Sequence, residues 1–273
     1  MNRRHSLNRT RLLTSLALLA VAGSVSGAAL TDADEIVAQA NLASYYPGVD
    51  GRAEVRMRIM DAQGREQRRQ FTILRRNVAA GGDQNFLVVF SRPSDVRGTV
   101  YLVKKHIARE DDRWLYLPGL DLVKRISAGD KRTSFVGADY FYEDVSGRDP
   151  AEDKHELIDT TDEYYVLKHV PLDSSSVEFA SYVTWIDRNT LLPMKIEYTN
   201  GSGNVYRRIE VQQVEAVQGY PTVAKSRVSN LETGGYTDMQ FGFVGYDIGL
   251  PDDVFTERSL RNPPQQWLER PAQ

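Results

Sequence analysis

The chain has 273 residues, 34 basic and 37 acidic side chains, and no cysteine. Without thiols there is no disulfide framework, no thiolate metal site and no N-terminal acceptor for a lipid anchor. Setting aside the four arginines of the leader described next leaves 30 basic groups against 37 acidic ones, a mildly acidic balance that argues against nucleic acid as a partner.

Arg3, Arg4, Arg9 and Arg11 open the chain, with no acid before Asp32. Leu12 to Val25 form a short apolar run, and Ser26-Gly27-Ala28-Ala29 supplies the small residues of a cleavage site. The run is shorter than the ~20 apolar residues that a stable span needs. Residues 1–28 are therefore expected to be a cleavable signal peptide for export across a bacterial-type inner membrane. The mature chain is expected in the periplasm, with no stable membrane anchor.

Asp32 to Leu42 carries an acidic first turn ahead of Ile36, which predicts a short helix stopped by Pro47-Gly48. From Ala53 the period becomes two. Ala53, Val55, Met57 and Ile59 point one way and Glu54, Arg56 and Arg58 the other, as in a half-buried strand. Asp61-Ala62-Gln63-Gly64 turns the chain into a second strand over 70–75. Further strands are predicted over 86–90, 99–104, 113–117, 163–169, 181–187, 194–198, 206–217, 222–231 and 236–246. Turns such as Pro118-Gly119, Asn200-Gly201-Ser202-Gly203 and Thr233-Gly234-Gly235 divide them. These spacings leave no room for crossover helices, so the sheet is expected to be an antiparallel meander. Alternation fails between Arg125 and Glu156, where a helical or irregular insert is expected. One domain over 29–260 is the simplest account. Residues 261–273, rich in Pro and Gln around Trp267, are expected to be a loose or edge-packing C-terminal extension.

No catalytic or metal centre is legible. His106, His155 and His169 are far apart in sequence, and no helix or strand carries a paired-histidine spacing. Asp153-Lys154-His155-Glu156 reads as a solvated charged loop. Ser202 sits in a hairpin turn and not in a nucleophile elbow. Glu143 and Asp144, read as neighbours on an extended segment, face opposite ways and cannot work on one bond. Catalytic residues, metals and cofactors are all expected to be none, and the chain is not expected to be an enzyme.

Fourteen Tyr, nine Phe, three Trp and five Met, mostly on alternating strands, imply a large apolar sheet face. That face must be covered by helices or filled by a ligand. The short helix and the insert look too small to cover it, which points to a hydrophobe site. An ordinary sandwich core would use the same residues, and pattern alone does not separate the two.

Several segments carry a resemblance. Pro93-Ser94-Asp95-Val96-Arg97-Gly98-Thr99, Trp114-Leu115-Tyr116-Leu117-Pro118, Lys124-Arg125-Ile126 and Phe135-Val136-Gly137-Ala138-Asp139-Tyr140-Phe141-Tyr142-Glu143-Asp144-Val145 resemble the LolA-like family of outer-membrane lipoprotein-sorting proteins. Trp185-Ile186-Asp187, Leu192 to Tyr198 and Leu250-Pro251-Asp252-Asp253-Val254-Phe255 fit the same order. The family implies a mainly β (α+β) fold: an incomplete antiparallel β-barrel with a few helices covering its concave apolar face. It implies a soluble periplasmic carrier of lipid or acylated, lipoprotein-like cargo. An inner-membrane transporter as donor, an outer-membrane acceptor, and association with an exporter of the resistance-nodulation-division type follow from the same resemblance. The alternative is a periplasmic sensor of lipid or partner on the same fold. On either reading the cavity lining is expected to comprise Val55, Met57, Ile59, Phe71, Ile73, Leu87, Val89, Trp114 and Tyr116, with Tyr140 and Tyr142 in the lid insert.

Overall fold

A computed structural model describes residues 30–107 and 109–269, so the expected signal peptide lies outside the described residues. The first element is α1 (Ala33–Tyr45), capped by Asp32, whose carboxylate accepts the Glu35 N–H at 2.8 Å. Thirteen strands follow: β1 (Asp50–Met60), β2 (Glu66–Asn77), β3 (Gln84–Arg92), β4 (Val100–Lys105), β5 (Asp112–Leu117), β6 (Leu122–Arg125), β7 (Asp153–Thr160), β8 (Tyr164–Pro171), β9 (Ser181–Asp187), β10 (Pro193–Thr199), β11 (Val205–Val217), β12 (Tyr220–Asn230) and β13 (Tyr236–Tyr246). Short helices α2 (Tyr142–Ser146), α3 (Arg258–Arg261) and α4 (Gln265–Leu268) complete the described chain.

All strands join one antiparallel sheet in the order β6-β5-β4-β3-β2-β1-β13-β12-β11-β10-β9-β8-β7. Every neighbour is consecutive in sequence except β1 and β13, which pair from Gly51↔Tyr246 to Met60↔Tyr236. The sheet does not close, because β6 and β7 stand as its two edges. This is the incomplete barrel that the family resemblance implies. Both edge strands escape the sequence pattern. β6 has four residues, and β7 opens on the charged run Asp153-Lys154-His155-Glu156, with alternate side chains left in water.

Because the side-chain period is two, the sheet has two distinct apolar faces. The inner face carries Met57, Phe71, Phe86, Phe90, Tyr101 and Val103, packed against Phe135, Tyr140 and Tyr142 of the insert. Phe135 sits among Phe71, Phe90, Tyr101 and Tyr142, with ring centroids 5.5–6.1 Å away. Aromatic rings in tilted and edge-on contact favour such a cluster. The outer face of β2–β6 carries Leu74, Leu87, Val89 and Leu102, covered by Leu250, Val254, Phe255 and Leu260 from the C-terminal segment. Trp267 of α4 packs on the same cluster, and the Arg52 guanidinium donates to the carbonyls of Trp267 and Leu268 at 3.0 and 2.8 Å.

Phe255 is 2% exposed and seals this outer cover. Phe255→Ala should therefore cost about 3–5 kcal/mol, the usual range for emptying a buried aromatic site. Urea unfolding of the variant against the wild type measures it.

Candidate functional site

Between α1, the insert and the inner face lies a cavity of about 420 Å³. Val37, Ala40 and Ser44 of α1 form one wall, Phe71 and Ile73 of β2 the floor, and Phe241 of β13 part of the far side. The lining is mostly apolar and extends beneath β9–β12 through Ile186, Ile196, Ile209 and Val211. No helix among the described residues is long and apolar enough to cross a membrane. Nor do three or more His, Asp or Glu side chains among them converge to hold a metal.

The expected lining residues divide into three groups. Phe71, Ile73 and Tyr140 border the cavity. Val55, Met57, Ile59 and Tyr142 lie on the same face but are packed into the aromatic core beside it. Leu87, Val89, Trp114 and Tyr116 are on the outer face, under the C-terminal cover, and this corrects the inward assignment. The run Phe86-Leu87-Val88-Val89-Phe90 is apolar at both parities because both faces of β3 are buried, so its alternation carries no direction. In β5 it is Leu115 and Leu117 that join the inner cluster.

The insert is held by ion pairs rather than by apolar contact alone. Glu143, on α2, is 2% exposed and is surrounded by Arg132 at 2.6 Å, Arg148 at 3.4 Å and Lys131 at 3.4 Å. Arg148 also grips Asp153 at 2.8 and 2.9 Å, and Tyr182 donates to the same carboxylate at 2.7 Å. Arg132 reaches Glu178 at 2.7 Å and lies over the rings of Phe179 and Tyr198, 4.7 and 5.0 Å from their centroids. Asp144 turns the other way, accepting the Phe141 N–H at 2.6 Å and pairing with Arg207 of β11 at 2.5 Å. The two carboxylates therefore serve separate partners, but from a helical turn and not from the extended segment expected. Burial alone would push the Glu143 carboxyl up, yet Arg132, Arg148 and Lys131 together hold it below its ordinary value.

α1 meets the insert where α2 ends and again at Pro150–Glu152. Lys105 of β4 is 3% exposed and donates to the carbonyls of Ser146 and Gly147 at 2.8 and 3.2 Å, where α2 ends. Its ammonium lies 5.3 Å from the centroid of the Tyr45 ring. Gly147 has φ +77, and a Cβ there would fall 2.5 Å from Tyr45 Cζ, so only glycine lets ring and backbone meet.

Histidines that look remote in sequence are paired in space. His155 and His169 face each other across β7 and β8, with their Nδ1 atoms 2.7 Å apart. The Pro150 carbonyl can only accept, so His155 Nε2, 3.0 Å away, donates to it. His155 Nδ1 then accepts from His169 Nδ1–H, and His169 Nε2 accepts from the Thr184 hydroxyl at 2.8 Å. Both rings are satisfied while neutral. Burial, and then the neighbouring His155, pull His169 from 6.5 to about 3.

Sequence reading missed this polar framework. One signal was available: Lys105 follows Tyr101 and Val103 at the inner parity, and Arg75 follows Phe71 and Ile73 likewise. A charge on an apolar face marks a buried partner or a ligand contact.

Two outcomes follow. Glu143→Gln leaves three cations around a neutral amide and should cost about 3–5 kcal/mol at neutral pH in urea unfolding. Since the folded carboxyl titrates below 4.5, its contribution is present above that pH and is lost as pH falls further, so the gap between variant and wild type should narrow in acid. His169 must be neutral to fold, so its contribution is complete above pH 6.5 and drains away towards pH 3, at up to ~1.4 kcal/mol per unit. His169→Gln should flatten the stability profile across that window, as thermal or urea unfolding at stepped pH would show.

Comparison with known proteins agrees with this architecture. A family model described as uncharacterized protein-like matches residues 82–262. A DUF1329 family protein from Desulfovibrio piger is similar, with 28% identity, a TM-score of 0.77, and coverage of 83% of this chain and 97% of that one. A Vibrio parahaemolyticus structure, named as an outer membrane lipoprotein-sorting protein domain, has 25% identity, a TM-score of 0.77, and coverage of 84% and 98%. A LolA superfamily protein from Nitrosomonas europaea, at 20% identity, shares the fold with a TM-score of 0.65 over 84% of this chain and 99% of that one. No curated protein sequence matches the chain. The chain belongs to the DUF1329-like family, and its open antiparallel barrel is the fold that the Nitrosomonas europaea protein also has.

Proposed function

We propose that this protein is a non-enzymatic periplasmic carrier that takes lipid or acylated, lipoprotein-like cargo into the inner-face cavity for transfer toward the outer membrane. The observation that carries this reading is the apolar cavity of about 420 Å³ held open under α1 and the insert. Its size falls within the ~300–1,000 Å³ of ordinary ligand sites. Each methylene moved there from water contributes roughly 0.8 kcal/mol, enough to shield a chain and still release it. The lipoprotein-sorting name of the Vibrio relative supports the cargo class. The basic, apolar and small-residue zones of residues 1–28 support export and cleavage. Delivery is then from an inner-membrane donor, an exporter of the resistance-nodulation-division type among the candidates, to an outer-membrane acceptor.

Native mass spectrometry of the protein purified from periplasm should show bound acyl chains, and a fluorescent fatty acid should bind to the emptied protein. Ile73 is half-buried because it faces the cavity, so Ile73→Trp should fill that space and weaken binding about tenfold or more. A protein that retains and binds no acyl chain overturns the reading.

A further inference from the structure

Arg75 stands apart from the other charged side chains around the cavity. Glu143 is paired with Arg132 at 2.6 Å, Asp144 with Arg207 at 2.5 Å, Arg148 with Asp153 at 2.8 Å and Arg52 with Glu54 at 2.9 Å. Arg75 lines the same cavity and is 9% exposed, yet no carboxylate among the described residues lies within ion-pair distance of it. Two of its five N–H groups donate to neutral oxygens, Asn77 Oδ1 at 2.6 Å and the Pro47 carbonyl. The acids whose fields reach it are occupied elsewhere. Asp50 accepts the backbone N–H groups of Ile248, Gly249 and Leu250 at 2.7–3.0 Å, and Asp247 accepts that of Val49 at 2.6 Å.

A guanidinium keeps its charge in this setting, because arginine does not deprotonate in proteins. Holding it in an apolar cavity with no carboxylate in direct contact costs stability, and tying down Pro47 needs only a neutral donor. An arriving anion would remove that cost. The fork of N–H groups matches the paired oxygens of a carboxylate or phosphate. Phe71 and Ile73 precede Arg75 at the same parity, so an apolar track leads along β2 to the cation.

We propose that Arg75 is a headgroup site, and that the cavity takes an amphiphile with a carboxylate or phosphate head bound at the guanidinium and an acyl or alkyl chain along Phe71 and Ile73. This deepens the carrier reading and rests on it. The test measures the affinities of the purified protein for palmitate, hexadecyl phosphate, 1-hexadecanol and inorganic phosphate, by displacement of an uncharged polarity-sensitive dye at neutral pH. Palmitate and hexadecyl phosphate should bind about tenfold or more tightly than hexadecanol, as a charge-assisted pair implies. That ratio should fall to near one in Arg75→Met and be largely kept in Arg75→Lys. The ratio is the readout, so a variant that binds every chain less well still decides the question. Equal binding of hexadecanol and palmitate by the wild type, or a ratio that survives Arg75→Met, overturns the headgroup site and leaves the carrier standing. Inorganic phosphate binding as well as hexadecyl phosphate would make this a free-anion site and overturn the amphiphile. Failure of every chain to bind overturns the carrier reading as well.

Discussion

β6 and β7 are the opposite edges of the sheet and yet are joined directly by residues 126–152. A connection from one edge of an open barrel to the other has to cross a face of the sheet. This one crosses the inner face, where Phe135, Tyr140 and Tyr142 enter the aromatic core on the β1–β5 side. The segment is therefore a cover by topology before it is one by packing. It is also too short to blanket thirteen strands, and the space it leaves, roofed by α1, is the cavity.

Apolar contact could not by itself fix such a crossing. Buried hydrophobic surface is non-directional, and a segment with several aromatic residues could settle on the inner face in more than one register. The ion pairs supply direction. Arg132 and Arg148 link Glu143 of the insert to Glu178 before β9 and to Asp153 at the start of β7, while Arg207 of β11 takes Asp144. Burying these groups costs desolvation, which the mutual pairing and the rings of Phe179 and Tyr198 offset. What the network supplies is position. Thr237 of β13 contributes a further tie, donating to Asp139 Oδ2 at 2.7 Å while accepting the Asp139 N–H.

The meander, the first helix and the irregular insert were all legible in the sequence, because alternation, turn residues and the failure of alternation are local signals. The inner lining was legible only where one face of a strand is polar. In β1, Glu54, Arg56 and Arg58 mark the outer side, and Val55, Met57 and Ile59 were placed correctly on the inner face. In β3 and β5 that contrast vanishes. The outer face of these strands is buried by Leu250, Val254 and Phe255, more than a hundred residues further on. No local pattern announces a cover that arrives from so far away. The histidine pair was hidden for a related reason: His155 and His169 become neighbours only through the register of β7 on β8. Nor does composition show that Glu143 and Asp144 bind different cations.

These contacts make the two covers of the cavity unequal. Moving the insert would part Asp144 from Arg207, Arg148 from Asp153 and Arg132 from Glu178, and breaking even one buried pair costs about 3–5 kcal/mol. Moving α1 would expose its two buried side chains, Ile36 and Ala40, of which the larger is worth roughly 1.5–3 kcal/mol. It would also part Tyr45 from Lys105 and Gly147, a contact with no ion pair in it. The cavity is thus bounded by one wall fixed through charge and another held by modest apolar burial. Arg75 stands near the second wall, donating to Pro47 where α1 gives way to β1. An anion at Arg75 would compete for the same guanidinium that ties down that turn, so the occupancy of the cavity and the seating of α1 share one side chain.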